Sequence, residues 1–324
     1  MSTMRRVLCV GATGTIGRAT VRRLAARGHQ VVALVRPGRA SRADLPAEVT
    51  VREADVGDPA SLRQHGVAGE SFDAVISCLA SRTGAPRDAW AIDHAAHQHL
   101  LGAALAAGVP HFVLLSAICV QRPRLAFQHA KLAFEAELMT SGIRYSIVRP
   151  TAYFKSLSGQ VERVRRGKPF LVFGDGRLTR CTPISDDDLA TYLADCLDDP
   201  ARWDRVLPIG GPGPALTPRE QGEALFAALG RPARFRQVPV AFLDGIIAVL
   251  SAVGRVLPAA ADKAELARIG RYYATESMLV WDATRGAYDA SQTPAFGRDT
   301  LQDHYARLLR GETVTMLGDH AVFS

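Results

Sequence analysis

The sequence lacks several features that would assign it to a specialised class of protein. Its five cysteines have no metal-ligand spacing and its nine histidines form no metal-binding constellation, so we expect no metal site. Cys9 and Cys78 lie in apolar runs typical of reduced, buried thiols. Residues 1–4 lead straight into Arg5 and Arg6 and then a strand, without the pattern of a signal or transit peptide. We therefore expect a cytoplasmic protein.

A basic tail and a long apolar span are also missing. The net charge of +7 is spread along the chain, without a basic stripe interleaved with aromatics, which argues against nucleic-acid binding. An acidic ligand explains the positive excess at least as well. The most apolar stretch, residues 238–257, contains Pro239, Asp244 and Arg255 and is too short to span a bilayer comfortably. It predicts a buried helix, or one lying against a membrane surface or an apolar substrate.

Strand-like and helix-like patterns alternate through the first 150 residues. Apolar runs predict strands at residues 6–10, 31–35, 49–54, 72–77, 111–115 and 144–148, with helices over 16–27, 88–107 and 125–141. The alternation predicts an α/β, Rossmann-type fold, a doubly wound parallel sheet with helices on both faces.

The pattern loosens beyond residue 150. A helix is predicted over 186–197 and a strand from residue 206, followed by mainly helical patterns after residue 216. We place a domain boundary at residue 155, between a Rossmann domain (1–155) and a smaller, mainly helical substrate region (156–324). Some elements of the second region are expected to return to the core sheet.

A glycine-rich turn follows the first predicted strand and opens the first predicted helix. Gly11 permits the tight turn, Gly14 lets the backbone approach a pyrophosphate, and Gly17 allows close packing of helix and strand. Pyrophosphate binds at a helix N-terminus because unpaired N–H groups and the helix dipole favour an anion there. The turn therefore predicts a dinucleotide site that includes Gly11, Thr13, Gly14, Thr15, Ile16 and Gly17.

The end of the second strand indicates which dinucleotide is bound. NAD sites place a carboxylate there for the ribose hydroxyls, but residues 34–39 contain none. Arg36, helped by Arg39 or Arg18, can pair with a 2′-phosphate instead. The sequence therefore favours NADPH.

Other candidate cofactor contacts lie where later strands end, the edge at which ligands bind in open α/β sheets. They are Asp55 and Val56 for the adenine, Cys78, Leu79 and Ala80 for the adenosine ribose, Ser116 near the nicotinamide, and Pro150 and Thr151 near the carboxamide.

Phe127 and Lys131 occupy the positions at which short-chain dehydrogenases carry Tyr-x-x-x-Lys. Lys131 is predicted to hydrogen-bond the nicotinamide ribose and to take part in catalysis. Phe127 offers an apolar surface but no proton, so ordinary alcohol–ketone chemistry is not expected. Tyr153 and Lys155 are the nearest candidate proton donors on the substrate side, and His129 is more consistent with a structural role.

Several longer segments resemble the NADPH-dependent divinyl chlorophyllide and protochlorophyllide 8-vinyl reductases, which are atypical short-chain dehydrogenases. The resemblance runs from residue 8 to about 310 and is carried by residues 115–139, 146–161, 173–176, 207–222 and 269–279. It includes Phe127-Gln-His-Ala-Lys131, so the missing tyrosine agrees with membership. It implies NADPH-dependent reduction of the 8-vinyl group to ethyl in chlorophyll or bacteriochlorophyll biosynthesis.

The implied chemistry agrees with the residues. A vinyl group has no oxygen to protonate, so a phenol is dispensable. We expect hydride at the vinyl terminus, with the resulting charge delocalised into the macrocycle, and a proton from Tyr153, Lys155 or water. A magnesium tetrapyrrole with a carboxylate also needs a wide apolar slot with basic groups, which residues 242–253 and 271–273 could supply. We expect that the protein can also make peripheral contact with a photosynthetic membrane.

Two alternatives remain at this stage. A non-catalytic NADPH-binding regulatory or scaffold protein would keep the glycine turn and tolerate Phe127. A reductase of another substrate, such as an isoflavone-type reductase, would also fit. A sugar-nucleotide epimerase is disfavoured because it would need tyrosine at position 127 and tightly held NAD.

Overall fold

The computed structural model describes residues 3–40 and 44–312. The strands are β1 (Arg6–Val10), β2 (Gln30–Val35), β3 (Thr50–Glu53), β4 (Ala74–Ser77), β5 (His111–Leu115), β6 (Arg144–Pro150), β7 (Phe170–Phe173), β8 (Arg205–Ile209), β9 (Phe235–Val238), β10 (Val280–Asp282) and β11 (Ala287–Asp289). The α-helices are α1 (Thr15–Ala26), α2 (Pro59–Ser61), α3 (Pro86–Ala89), α4 (His97–Ala106), α5 (Ala126–Thr140), α6 (Phe154–Leu157), α7 (Val161–Arg165), α8 (Asp186–Asp195), α9 (Pro218–Ala228), α10 (Val240–Gly254), α11 (Pro258–Thr275) and α12 (Leu301–Leu309). Leu62–Val67 and Trp90–Ala96 are π-helical, and Ile118–Gln121, Ser158–Gln160 and Pro200–Arg202 are 3-10 turns.

A seven-stranded sheet in the order β3-β2-β1-β4-β5-β6-β8 forms the centre of the fold. The strands from β3 to β6 pair in parallel, and Val10 is in register with Leu34 on one side and Ser77 on the other. The central strands β1, β4 and β5 are buried along almost their whole length, as expected where helices cover both faces, whereas the edge strand β3 is partly exposed. The predicted Rossmann-type fold is confirmed.

The chain divides into two compact units. Of the described residues, the first unit contains 3–40, 44–82, 87–149 and 186–207, and the second contains 83–86, 150–185 and 208–312. Residues 313–324, which the sequence analysis assigned to the substrate region, lie outside the described residues.

The core of the first unit lies between the sheet and the helices α4 and α5. Phe112 and Phe134 are almost wholly buried there, with ring centroids 5.9 Å apart. The Gln128 side chain fixes the start of α5, since its amide oxygen accepts the N–H groups of Arg124 and Leu125 and its amide nitrogen donates to the Cys119 carbonyl. This arrangement places the helix that carries Lys131.

The single helix predicted over residues 88–107 is divided in the structure. It consists of α3, a π-helical segment and α4. A π-helical turn adds a residue to the ordinary spacing, and such turns are frequent at functional sites. The apolar, alanine-rich composition gave no sign of it, because composition does not report on hydrogen-bond spacing.

The second unit has its own core, and it contains more strand than was predicted. Phe154, Phe170, Phe226 and Tyr305 are buried in one apolar cluster. β7 pairs in parallel with β9, and β10 pairs with β11 as an antiparallel hairpin. The sequence analysis missed β7, β9, β10 and β11 because strands of three or four residues are too short to show a clear alternation.

Candidate functional site

The glycine turn is closed by contacts that only glycine permits. Gly11 has φ +76°, and a Cβ there would lie 2.6 Å from the Cys78 carbonyl carbon and oxygen. A Cβ on Gly17 would lie 2.1 Å from the Gly11 carbonyl oxygen. The Gly14 N–H donates to that same oxygen at 3.0 Å. The turn therefore packs against the loop after β4 with no room for side chains.

The start of α1 is suited to an anion. Gly14 occupies the N-cap position without a side-chain cap, and the first turn holds no acidic residue. The helix dipole and the N–H groups of that turn therefore favour negative charge. The tight turn at Gly11 (φ +76°) and this uncapped helix start together fit the pyrophosphate of a dinucleotide. Thr13, Thr15 and Ile16 lie in the same segment, with Thr13 exposed.

The arginine loop after β2 is held by a carboxylate that the sequence analysis missed. Glu53 pairs in register with Val35, and its Oε1 accepts the N–H groups of Arg39 and Ala40 at 3.1 and 3.0 Å. These backbone hydrogen bonds lower the pKa of Glu53, and the one from Ala40 has the largest effect. The carboxylate beside β2 thus organises the loop, whose Arg36 and Arg39 are both exposed.

The remaining candidate contacts of the first unit follow β3 and β4. The Asp55 carboxylate accepts a hydrogen bond at 2.8 Å from the N–H of Gly57, two residues later in the same turn. The side chain of Val56 is buried. The Cys78 thiol faces the Thr20 hydroxyl, and burial raises the pKa of that thiol to about 12. It is therefore a neutral group at physiological pH. Leu79 and Ala80 continue this loop, which leads to Ser81.

Ser116 does not offer a free hydroxyl. It is 3% exposed and donates a short hydrogen bond to Glu135, whose carboxylate also binds the Arg149 guanidinium. Glu135 lies on α5 and Arg149 on β6, so this buried network joins the helix to the sheet. A nicotinamide contact from Ser116 would have to come from its backbone or from a rearranged side chain.

Lys131 forms an ion pair with a second buried carboxylate. Its Nζ lies 2.9 Å from Oδ1 of Asp93, whose side chain is fully buried, while the Lys131 side chain is 10% exposed. Asp93 belongs to the π-helical segment between α3 and α4. Phe127, one turn before Lys131, is buried and contributes no polar atom. Asp93 was missed because its only sequence signal was one carboxylate in an alanine-rich, apolar helix.

His97 completes this group of side chains. Its Nδ1 faces the Ile92 carbonyl oxygen at 2.9 Å and so carries the proton, which leaves Nε2 to accept from the Ser77 hydroxyl at 2.9 Å. Burial and, to a lesser extent, the charge of Lys131 lower the pKa of His97 to about 4. Asp93, His97, Ser116, Lys131 and Phe134 line the same small internal space. His129, in contrast, is exposed on α5.

Four predicted site residues lie in the second unit. Pro150 ends β6, and Thr151 donates its hydroxyl hydrogen to the Thr182 carbonyl. Tyr153 bridges to Ile184 in parallel, and Lys155 lies in α6, with both side chains half-buried. The structure thus places Lys131 in the first unit and the two candidate proton donors in the second.

The α10–α11 pair, a third candidate region, also belongs to the second unit. Phe242 and Val249 are 61% and 63% exposed on α10. Arg271 is paired with Asp244, and Tyr272 is buried. Of the three residues at 271–273 expected to face a substrate, Arg271 is thus engaged in an ion pair with α10 and Tyr272 is buried. Tyr273 is exposed. Among the helices of the described residues, none is long and apolar enough to cross a membrane.

Comparisons with known proteins agree with this site. Residues 11–200 match a family described as NAD(P)H-binding. A chloroplastic divinyl chlorophyllide a 8-vinyl-reductase of Oryza sativa subsp. indica is 50% identical over 98% of this chain and 82% of its own length. A protein of the same name from Zea mays is 47% identical over the same shares.

A solved structure supports the fold. The NADPH-dependent quinone oxidoreductase QOR2 of Escherichia coli, complexed with NADPH, superposes with a TM-score of 0.66. The match covers 94% of this chain and 99% of the other, with 22% sequence identity. At that identity the likeness concerns the fold alone.

The close packing of the glycine turn predicts that one methyl group added at Gly17 weakens NADPH binding. In Gly17→Ala the new Cβ would collide with the Gly11 carbonyl oxygen, so the turn must open. We expect NADPH affinity, measured by calorimetry, to fall by more than about 10-fold. Gly102→Ala in α4 is the matched control, because nothing lies within 4 Å of its Cβ position. Equal NADPH affinity in both variants would contradict the assignment of this turn.

The neutral state of His97 predicts a dependence of stability on pH. Because its folded pKa of about 4 lies below the ordinary 6.5, the unfolded chain binds the proton first as pH falls. Its contribution to stability is therefore lost between pH 6.5 and 4. In His97→Gln, the slope of unfolding free energy against pH should decrease by up to about 1.4 kcal/mol per pH unit.

The control for this prediction is His129→Gln, on the exposed face of α5. Urea unfolding followed by circular dichroism from pH 7 to 4 measures both slopes. His111 and His304 also have pKa values lowered to about 4 by burial, so part of the slope should persist. A His97→Gln slope equal to that of the wild type would show that the pKa of His97 is the same in the folded and unfolded protein, which contradicts this account.

Proposed function

The chain belongs to the divinyl chlorophyllide a 8-vinyl-reductase family, and from this premise we propose the reaction and the roles of its residues. It is an NADP-dependent oxidoreductase that reduces the C=C bond of the 8-vinyl group of divinyl chlorophyllide a, or of the corresponding protochlorophyllide, to an ethyl group in chlorophyll or bacteriochlorophyll biosynthesis. The observation that carries this conclusion is the 47–50% identity to named reductases over 98% of the chain. The regulatory or scaffold alternative has no comparable support.

The described residues are suited to holding NADPH. Gly11, Gly14 and Gly17 would hold the pyrophosphate, and Arg36 and Arg39 would pair with the 2′-phosphate. The further contacts proposed are Thr13, Thr15, Ile16, Asp55, Val56, Cys78, Leu79, Ala80, Ser116, Lys131, Pro150 and Thr151. Residues 1–155 are thereby the proposed cofactor domain, and residues 156–324 the proposed substrate region.

Phe127 fits the reduction of a carbon–carbon double bond. When bound, NADPH supplies a hydride to the substrate. Lys131 binds the nicotinamide ribose, and its position on α5 fixes the face that the cofactor presents. Because no carbonyl oxygen has to be protonated, the side chain at position 127 is needed only for packing, and the burial of Phe127 on α5 agrees with that role.

The second hydrogen has to arrive as a proton. Tyr153 and Lys155 are the proposed donors, since each carries an exchangeable proton and each is half-buried in the second unit. Water is the other source. A Tyr153→Phe variant that keeps NADPH affinity and loses turnover by about 100-fold would identify the phenol as donor.

The reductase activity is tested with purified protein, NADPH and divinyl chlorophyllide a under anaerobic conditions. Chromatography and mass spectrometry should reveal a product heavier by two hydrogens, with a blue-shifted Soret band. The protochlorophyllide form is assayed in parallel, because the relatives' names mention only chlorophyllide. NADPH binding with both pigments returned unchanged would support the scaffold alternative.

The exposed face of α10 is the proposed site of peripheral membrane contact. Phe242, Val249 and Val253 are exposed on one side of this helix, and Val256 and Leu257 continue the apolar surface to 82% and 57% exposure. Arg255 and Lys263 lie at that end and are exposed. Apolar side chains beside cations suit the headgroup boundary of an anionic bilayer. Such contact would place the protein at a photosynthetic membrane; the cytoplasmic location stays a prediction.

Vesicle co-sedimentation tests this membrane surface. Phe242→Ser/Val249→Ser should reduce binding to vesicles containing an anionic lipid several-fold, while Leu178→Ser, a change at another exposed apolar residue, should not. The KM for pigment should be unchanged in both. If the double variant instead raises that KM and leaves sedimentation unaltered, the face binds the tetrapyrrole and not the membrane.

A further inference from the structure

The Asp93 carboxylate joins two parts of the proposed cofactor site. Its Oδ1 lies 2.9 Å from Lys131 Nζ and also accepts the backbone N–H of Ser81 at 3.2 Å. Lys131 is on α5, whereas Ser81 ends the loop that begins at Cys78. One fully buried oxygen atom therefore connects the proposed ribose-binding lysine to the loop proposed to bind the adenosine ribose.

Folding stability alone does not account well for this pair. Removing two charges from water costs several kcal/mol per ion, and apolar side chains of similar size often serve as well or better. The second carboxylate oxygen, Oδ2, is buried and has no hydrogen-bond partner among the described residues. A carboxylate left half-satisfied in an apolar interior is costly. Such an arrangement is expected where function, and not packing, selects the residue.

The phenylalanine at position 127 explains why Lys131 needs a carboxylate beside it. In a Tyr-x-x-x-Lys arrangement, the phenol one turn before the lysine is a polar neighbour for its ammonium group. Here that neighbour is an aromatic hydrocarbon, and the ring nitrogens of His97 are occupied by Ile92 and Ser77. Asp93 provides a charged partner whose position is fixed by the π-helical segment of Trp90–Ala96.

We propose that Asp93 is a positioning residue for NADPH, holding the Lys131 ammonium group and the loop after β4 in one fixed arrangement. The proposal rests on the proposed function in that the dinucleotide is NADPH and that Lys131 binds its nicotinamide ribose. Asp93 acts through Lys131 and Ser81 and does not itself touch the reacting atoms.

A comparison of four proteins tests the proposal: the wild type, Asp93→Asn, Lys131→Met and the double variant. The measured quantity is the dissociation constant of NADPH, by calorimetry without pigment. We expect it to rise about 10-fold in Lys131→Met and similarly in Asp93→Asn. The amide oxygen introduced by Asp93→Asn can still accept the Ser81 N–H, so this change tests the charge that faces Lys131. Adding it to Lys131→Met should therefore change the dissociation constant less than about twofold.

The comparison remains decisive if Asp93→Asn fails to fold. Asp93→Glu then takes its place, because it keeps the charge beside Lys131 and displaces the carboxylate by one methylene, so a positioning role still predicts weaker NADPH binding than in the wild type. The matched control is Asp195→Asn, which removes the Arg27–Asp195 ion pair between α1 and α8 in the same unit. Its NADPH affinity should equal that of the wild type.

A second readout follows from the lysine content. The chain has four lysines, Lys131, Lys155, Lys168 and Lys263, so acylation of each can be followed by peptide mass spectrometry. Bound NADPH should slow acylation of Lys131, and Asp93→Asn should weaken that protection, with Lys263 unaffected.

The outcomes distinguish a failure of the proposed function from a failure of the positioning role of Asp93. If the wild type fails to bind NADPH, the proposed function is wrong. If it binds NADPH but Asp93→Asn has wild-type affinity, or if the two substitutions have independent, multiplying effects, the positioning role is wrong and the proposed function stands.

Discussion

The close contact between the glycine turn and the loop after β4 is the constraint on which the rest of the site depends. The Gly11 backbone lies against Cys78, and Gly17 lies against Gly11, at separations that leave no space for a Cβ. This contact brings the ends of β1 and β4 together and directs the start of α1 toward the same edge of the sheet. The site for an anionic cofactor therefore arises from backbone geometry before any side chain contributes.

Two buried carboxylates, those of Glu135 and Asp93, connect this edge of the sheet to α5. Glu135 binds Ser116 and Arg149, and Asp93 binds Lys131 and the Ser81 N–H. Both pairs lie in an apolar interior, where hydrogen bonds to charged groups are strong and an unpaired charge is very costly. These contacts fix the rotation and position of α5 relative to the strands. With Phe127 on the same helix, the position one turn before Lys131 carries no phenol, which agrees with reduction of a vinyl group.

Local signals in the sequence were sufficient for the fold and for the glycine turn. The bounds of β1 and β5 were predicted correctly because both strands are short apolar runs between clear breaks, and Gly11, Gly14 and Gly17 have a spacing with a direct physical meaning. The partners of the site could not be predicted in the same way. Glu53 accepts hydrogen bonds from the N–H groups of residues 39 and 40, and Asp93 forms an ion pair with Lys131. These roles appear only when segments distant in the sequence pack together. β10 and β11 were missed for a different reason, because three residues carry too little pattern.

The central claim is that a vinyl group is reduced by hydride from NADPH without a phenol at position 127. Isotope labelling tests it most directly, with NADPH deuterated at the transferred position in ordinary water and unlabelled NADPH in heavy water. The account predicts cofactor deuterium on the terminal carbon of the new ethyl group and solvent deuterium on its neighbour. Solvent deuterium on the terminal carbon, or no label from the cofactor in the ethyl group, would contradict it.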